Sequence, residues 1–358
     1  MKPLKKILIP IILVTGFLFL DYYNNFYKDN TAFESDSIYL YVSENDTLAF
    51  IDSISKYIKS EKSFNRVAKS LGYVDNKKTG RFKINKGIGN KDIIRSLKFN
   101  NTPFTLTFNN QERIEDLAGR VSKQIHEDSL SLIKAFNDPD FLKENNLSKT
   151  NILSIFIPNS YNIYWDISAE EFRDKMLDEY NKFWNQDRTK KAELIGLDKL
   201  EVISLASIVQ IESRKIDERP RVAGLYINRL KDNMRLQADP TVIYTIKEYY
   251  NNFDTIIRRV LYRDLKLESE FNTYRIKGLP PGPITMPDIS SIDAVLNFEK
   301  HNFLFMVANP SNRGYHLFAS DLKGHNRNKK AYIRWINSRG IYRWFNLKVS
   351  DSDHQHIF

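Results

Sequence analysis

Hydrophobic and polar positions change period several times along this chain, and each change marks an element. Residues 7–20 form an apolar run without charge, broken only by Pro10, Thr15 and Gly16, with Lys2, Lys5 and Lys6 before it and Asp21 after it. Residues 37–42 (SIYLYV) and 80–84 (GRFKI) alternate with the two-residue period of strands. Between and after them the period lengthens to that of helices. Asp46 or Thr47 is placed to cap a helix carrying Ala49, Ile51, Ile54 and Ile58. A second short helix, 63–71, stops at Gly72, and a third starts at Asn90 or Lys91 and carries Ile93, Ile94 and Leu97. The pattern then predicts a strand at 104–108 and an amphipathic helix at 114–125, with further helix at 130–136 and 140–144. An apolar stretch, 152–157, leads into a turn at Pro158, Asn159, Ser160 and Tyr161. Ser168 is expected to cap a helix over 169–184, and 185–191 reads as a polar, exposed stretch.

The stretch from Leu200 onward carries more information. Residues 200–211 are the most apolar helical segment of the folded part, and at 100° per residue Leu205, Ile208 and Glu212 fall on one stripe. The next helix is expected from Asp217 or Glu218, with Pro220 in its first turn, where a missing N–H does no harm. Pro240 disfavours helical geometry at Asp239, leaving that carboxylate free to cap a helix over 241–246. The prolines and glycines of 278–283 make a rigid loop able to wall a groove. A helix at 290–297 and a hairpin of 303–308 with 314–318 follow, and Gly324, His325 and Asn326 precede a final helix.

Composition narrows the classes. With 358 residues, 42% hydrophobic and 13% aromatic, the chain is long enough for more than one folded unit and is not a disordered polymer. It has no cysteine, which excludes disulfides, thiolate metal sites and a cysteine nucleophile. The net charge of +10 suits an anionic partner, whether nucleic acid, membrane surface or wall polymer, but the basic residues are scattered. The apolar run at the N-terminus is shorter than the roughly 20 residues of an ordinary span, yet no small-residue cleavage site follows it. It therefore reads as an uncleaved signal anchor. The lysines keep its start in the cytoplasm and everything beyond Tyr23 outside, away from nucleic acid. The expected class is α+β: a membrane anchor over 1–23, a juxtamembrane linker over 24–36, a small α+β subdomain over 37–100, a mixed α+β domain over 101–345 and a tail over 346–358.

Glu212 is the first candidate for chemistry. Apolar surroundings favour the protonated form of a carboxylate, which is how a Glu is kept as an acid near neutral pH. The competing reading is structural: an ion pair with Arg214 or Arg219. Gln237, Asp239, Thr241 and Tyr244 form a dense polar string shortly afterwards. Capping alone accounts for Asp239, whereas nothing local accounts for Gln237. His316 and His325 lack further ligands at metal spacing, and His354 and His356 fall in the polar tail. No metal or organic cofactor is expected.

The ordered strings SIVQIESRK, ERPRVAGLYINRL, MRLQADPTVIY, FNTYRIKGLPPGPI and GHN closely resemble the endolytic murein transglycosylase (YceG-like) family over residues 37–345. That resemblance implies an inner-membrane anchor, a LysM-like first subdomain and a catalytic domain in the periplasm. It implies cleavage inside nascent peptidoglycan strands, at the bond from muramic acid to glucosamine, leaving 1,6-anhydro ends. Glycan strands are then the partner, with peptidoglycan synthases as further candidates. Carried over by position, the family's catalytic glutamate falls on Glu212. The first acid of its E-x-E pattern is replaced by Gln210, and its further motifs fall on Gln237, Asp239, Thr241, Asn272, Thr273, Tyr274, His325 and Asn326. Tyr244, Asn272, Tyr274, His325 and Asn326 join Gln237, Asp239 and Thr241 as expected substrate contacts. Phe271 and Gly324 stand where the family pattern has a tyrosine and a glutamate. A single acid points away from ordinary hydrolysis, which uses two carboxylates. The same Glu acts as acid and then as base. Two other classes stay open: a non-catalytic wall-binding or scaffold protein, which would not need Glu212, and a nucleic-acid-binding protein.

Overall fold

A computed structural model describes residues 2–43 and 53–339. Most of the helix expected after Asp46, and the tail with His354 and His356, lie outside the described residues. The chain starts with helix α1 (Lys2–Phe26), within which Leu8–Phe26 is long and apolar enough to cross a membrane or serve as a signal. Leu13, Phe17 and Phe19 stand exposed along it.

The described chain divides into two compact units. The first takes the chain to Leu106 and adds Val121–Asp128 and Ser160–Ser168. Its strands β1 (Ser37–Val42) and β2 (Gly80–Asn85) pair antiparallel with Leu40 opposite Phe82. Helices α2 (Glu61–Ser70) and α3 (Asn90–Phe99) cover that sheet, because alternation sends Leu40, Val42, Phe82 and Ile84 inward against Phe64, Val67, Ile93 and Leu97. A buried amide at Asn90 donates to the Asn25 carbonyl at 2.8 Å and accepts from Asn30 at 2.7 Å, tying the last turn of α1 to this core.

Strand β3 (Phe104–Phe108) lies where the chain passes from the first unit to the second. The second unit takes up α4 (Ile114–Val121), α5 (Ser129–Phe136) and α6 (Pro139–Glu144). Residues 159–163 are a strand, β4 (Asn159–Ile163), where the sequence reads as a turn; strand pairing is non-local and outweighs the Pro158 signal. Helix α7 (Ala169–Phe183) agrees with expectation. The polar stretch after it is helix α8 (Gln186–Ile195), which buries Ala192 and is set off by the Asn185 cap and a left-handed Gly196.

The part of the second unit that begins at Lys199 is a helix cluster. Helix α9 (Lys199–Glu212) opens with a reciprocal capping box between Asp198 and Glu201 and is buried on every side from Val202 to Val209. It packs against α10 (Arg219–Lys231), α11 (Asp239–Tyr249) and α12 (Ile289–Leu296). The loop of prolines and glycines lies against this cluster. Ser204 Oγ donates to the Gly282 carbonyl at 3.1 Å, and the Ile284 N–H donates to Ser207 Oγ at 3.1 Å. Gly224 on α10 sits so close to the Glu299 carbonyl that an added Cβ would meet that oxygen at 2.3 Å. Strands β5 (Phe305–Ala308) and β6 (His316–Ala319) form an antiparallel hairpin, and α13 (Leu322–Ser338) closes the described chain. His325 and Asn326 therefore sit inside the last helix and not before it, since Asp321 provides its cap.

Candidate active site

Helix α9 ends by delivering two neighbouring polar side chains to different fates. Gln210 holds the start of α12: its Oε1 accepts from the Asp288 N–H and from Ser291 Oγ at 3.0 Å, while its Nε2 reaches the Met286 carbonyl at 3.4 Å. A carboxylate at this position could not donate to that carbonyl. Glu212, in the last turn, turns elsewhere. Its residue is half-buried, yet Oε2 is sealed from solvent and has no hydrogen-bond partner among the described residues. Burial pushes its pKa from 4.5 up to about 7, opposed by the charge of His316, reinforced by Asp239, and opposed again by the Tyr226 hydroxyl and Arg229. The helix C-terminus, with its partial negative charge, acts in the same direction as burial. Arg219, one expected ion-pair partner, instead donates to the Ser213 carbonyl at 3.0 Å and Ser290 Oγ at 2.9 Å.

A second carboxylate follows six residues later and is treated oppositely. Glu218 is 4% exposed, but its Oε1 accepts from the His316 N–H at 2.7 Å. Its Oε2 accepts from Ser213 Oγ and pairs with His316 Nδ1, both at 2.9 Å. Burial alone would raise its pKa; the His316 contacts and the Ser213 hydroxyl outweigh it, and the pKa is lowered. For His316, burial disfavours the imidazolium, but the Glu218 hydrogen bond and the charges of Glu212 and Glu218 raise its pKa.

A cavity of about 610 Å³ opens beside Glu212. Glu212, Tyr226, Asp239 and Tyr274 line one part of it. Asp239 is the first residue of α11 and caps nothing with its side chain, contrary to the sequence reading; Pro240 follows it within the first turn. Its Oδ1 accepts the Tyr274 hydroxyl at 2.7 Å. Burial raises the Asp239 pKa and the tyrosine's hydrogen bond works against that rise. Gln237 also lines the cavity, on backbone held at φ 51°. Left-handed geometry is uncommon for a non-glycine residue and is maintained here by its N–H bonding the Thr273 carbonyl at 3.2 Å. Helix α13 supplies His325, Asn326, Lys329 and Lys330.

Six of the sequence-expected site residues thus meet in one cavity: Glu212, Gln237, Asp239, Tyr274, His325 and Asn326. Thr241 and Asn272 do not line it, and both are completely buried. Thr241 Oγ1 bonds the Ala238 carbonyl at 2.7 Å and Thr273 Oγ1 at 2.8 Å. Asn272 donates to the Leu267 carbonyl at 2.7 Å and accepts from the Tyr274 N–H at 3.0 Å, so its side chain is spent on holding the backbone that carries Tyr274. Tyr244 packs on Phe271, ring centroids 4.7 Å apart, outside the cavity lining. The 278–283 loop does not line this cavity; the Pro280 and Gly282 carbonyls accept from Ser204 Oγ of α9 instead. Sequence reading missed Tyr226 and Arg229 in the lining and the Glu218–His316 pair. Tyr226 lies within the helix that follows Pro220, and no neighbouring motif marks it for chemistry. Among the described residues no group of three or more acidic or histidine side chains is arranged to hold a metal.

The model of the YceG-like family matches residues 41–331. An endolytic murein transglycosylase of Bacillus subtilis (strain 168) is 28% identical over 300 residues, covering 79% of this chain and 80% of its own. One from Streptococcus pneumoniae serotype 2 is 27% identical over 180 residues, which is 49% of this chain and 31% of that longer protein. The crystal structure of a yceG-like protein from Listeria monocytogenes shares the fold, with a TM-score of 0.52 over 82% of this chain and 99% of its own, at 23% identity.

Proposed function

The chain belongs to the YceG-like family, and from that premise we propose that it is a peptidoglycan lytic transglycosylase that cuts inside glycan strands with Glu212 as its acid and base. The observation that carries this reading is the Glu212 carboxyl lining a cavity of about 610 Å³, with one oxygen buried and unpartnered among the described residues and a pKa raised to about 7. A group so poised holds its proton in an appreciable fraction of molecules at neutral pH and can also release it.

The reaction needs no added water. Glu212 gives its proton to the oxygen joining muramic acid C1 to the glucosamine, and the C1–O bond breaks. The oxocarbenium-like centre at C1 is steadied by the substrate's own N-acetyl group. Glu212, now a carboxylate, takes the proton of the muramic C6 hydroxyl, and that oxygen bonds to C1. The carboxyl regains its proton and the new end is a 1,6-anhydro ring. Asp239, fixed by Tyr274, lies on the same wall and favours positive charge developing at C1; Gln237 and Asn326 are assigned to sugar hydroxyls. General acid catalysis supplies a factor of about 10² to 10⁴, so positioning in the cavity must provide the remainder. The first unit is assigned a LysM-like, glycan-holding part, with α1 anchoring the chain and the remainder on the outer side of the membrane.

The presence of Asp239 in the cavity favours one other reading, a hydrolase in which that carboxylate activates water. Mass distinguishes the two. The full-length protein in detergent is incubated with peptidoglycan, and the new ends are weighed. Anhydro ends, lighter than reducing ends by one water, are expected. Reducing ends would sink the transglycosylase reading, and activity surviving in Glu212→Gln would remove Glu212 from its role.

A further inference from the structure

The cavity has a cation that the reaction above does not use. Arg229 is 8% exposed, lines the cavity and makes no salt bridge within 4 Å among the described residues, although the charge of Glu212 acts on it from farther off. Its Nε donates to the Leu304 carbonyl at 2.6 Å, and its Nη1 donates to the carbonyls of Leu236 at 2.6 Å and Arg235 at 3.4 Å. Its Nη2 has no hydrogen-bond partner among the described residues. The guanidinium is thereby fixed by neutral oxygens, with one nitrogen left for a ligand, 5.5 Å from the Phe305 ring. Burying a cation is unfavourable, and Glu212, the carboxyl whose charge acts on it, gives up that charge whenever it takes its proton, so the cost is met more fully when an anion arrives. Two further cations, Lys329 and Lys330, line the same cavity from α13. The neighbouring His325 contributes a buried Nδ1 without a partner. Acidic groups, Glu212 and Asp239, line the same space, so the cavity contains both a proton donor and a cationic set.

We propose that Arg229 and Lys330 form a subsite for a carboxylate carried by the substrate's muramyl residues. Two sources have that chemistry: the carboxylates of an attached peptide stem, and the lactyl carboxylate left when the stem has been removed. A planar guanidinium suits such a group better than an ammonium does, because it offers parallel N–H donors. The subsite rests on the glycan-cleaving reading of the cavity. It adds to that reading a discrimination between charged and neutral strands.

The test separates binding from cleavage. Full-length Glu212→Gln protein in detergent is titrated with four soluble glycan strands: stem-bearing, stem-stripped by an amidase, and each of these with its carboxylates converted to amides. Neutralising the preferred strand should weaken binding about tenfold or more, the range of one or two charge-assisted hydrogen bonds. Preference for the stem-bearing strand identifies stem carboxylates as the ligand; preference for the stripped strand identifies the lactyl group. Raising salt should weaken binding of the charged strands and leave the neutral ones unchanged. Arg229→Lys should retain part of the discrimination and Arg229→Met lose it. Since Arg229 also braces backbone carbonyls, the exposed-site variant Lys330→Glu is the companion, expected to weaken charged strands selectively. Equal binding of charged and neutral strands, with Lys330→Glu silent, overturns the subsite even if the wild type cleaves glycan. Failure of the wild type to cleave any strand while Glu212→Gln still discriminates overturns the catalytic reading and leaves the subsite standing.

Discussion

Glu212 and Glu218 are six residues apart, both drawn away from solvent, and their pKa values are moved in opposite directions. The difference lies in donors. Glu218 receives two hydrogen bonds from His316 and one from Ser213. Glu212 has one oxygen with none. Burial therefore does not decide whether a carboxylate is an acid or a structural anion; the local supply of N–H and O–H groups does. Arranging the donors around the second carboxylate and withholding them from the first lets one short segment supply both a proton and a rigid support.

The strongest way to break this contrast is at Glu212 itself. Glu212→Gln should lower the cleavage rate by about 10² to 10⁴, as expected for loss of general acid catalysis, measured by release of anhydro ends. The same variant should be more stable than wild type at pH 8. A carboxyl whose folded pKa is raised contributes stability that is fully present below its unfolded pKa and is lost as pH rises through about 7. Removing the charge recovers up to about 2–3 kcal/mol by that linkage, read from urea unfolding. Destabilisation at pH 8 would return Glu212 to a structural role.

Glu218→Gln should behave in reverse. It loses a buried acceptor to which three donors point, and should destabilise the protein by about 3 kcal/mol at pH 8. Because the folded pKa of Glu218 is lowered, its contribution is lost as pH falls through that folded value, so the gap to wild type should close in acid. An unchanged urea midpoint at pH 8 would mean that the donors are satisfied by water instead.

The smallest effects are shifts of the pH profile, for which only the direction is expected. In wild type kcat/KM should decline as pH rises past about 7, when Glu212 loses its proton. His316→Gln removes a charge that lowers the Glu212 pKa, so the alkaline limb should move up. Asp239→Asn removes one that raises it, so the limb should move down. Limbs moving together in either direction would show that neither group acts on Glu212 through its charge.

Local signals made much of this legible. The apolar run of α9 located Glu212, and alternation located β1 and β2. Gln237 stood out because its neighbours had local explanations and it had none; its left-handed backbone supplies one in strain. What stayed hidden depends on contacts distant in sequence. Glu218 and His316 are 98 positions apart, and nothing near either announces the pair. Arg229 reads as an ordinary basic residue in the last turn of a helix, where it suits the helix dipole. Only the fold reveals that it points inward. Asp239 was misread because the proline rule is a tendency: a residue before proline can still be the first of a helix, where its N–H needs no intrahelical partner. Helix α8 was missed because it buries a single alanine, leaving almost no apolar period to detect.

Gly224 shows how far the influence of such packing reaches. The helix that bears it also carries Tyr226 and Arg229 into the cavity, and its closeness to the Glu299 carbonyl leaves no room for even one methyl group. A change to alanine would push the whole helix outward and carry the two cavity residues with it. In a genetic screen such an allele would sort with active-site mutants, although the residue it alters touches no part of the site. Sequence variation at this position therefore reports on the spacing of two structural parts, and a map of essential positions would include it for reasons that have nothing to do with chemistry.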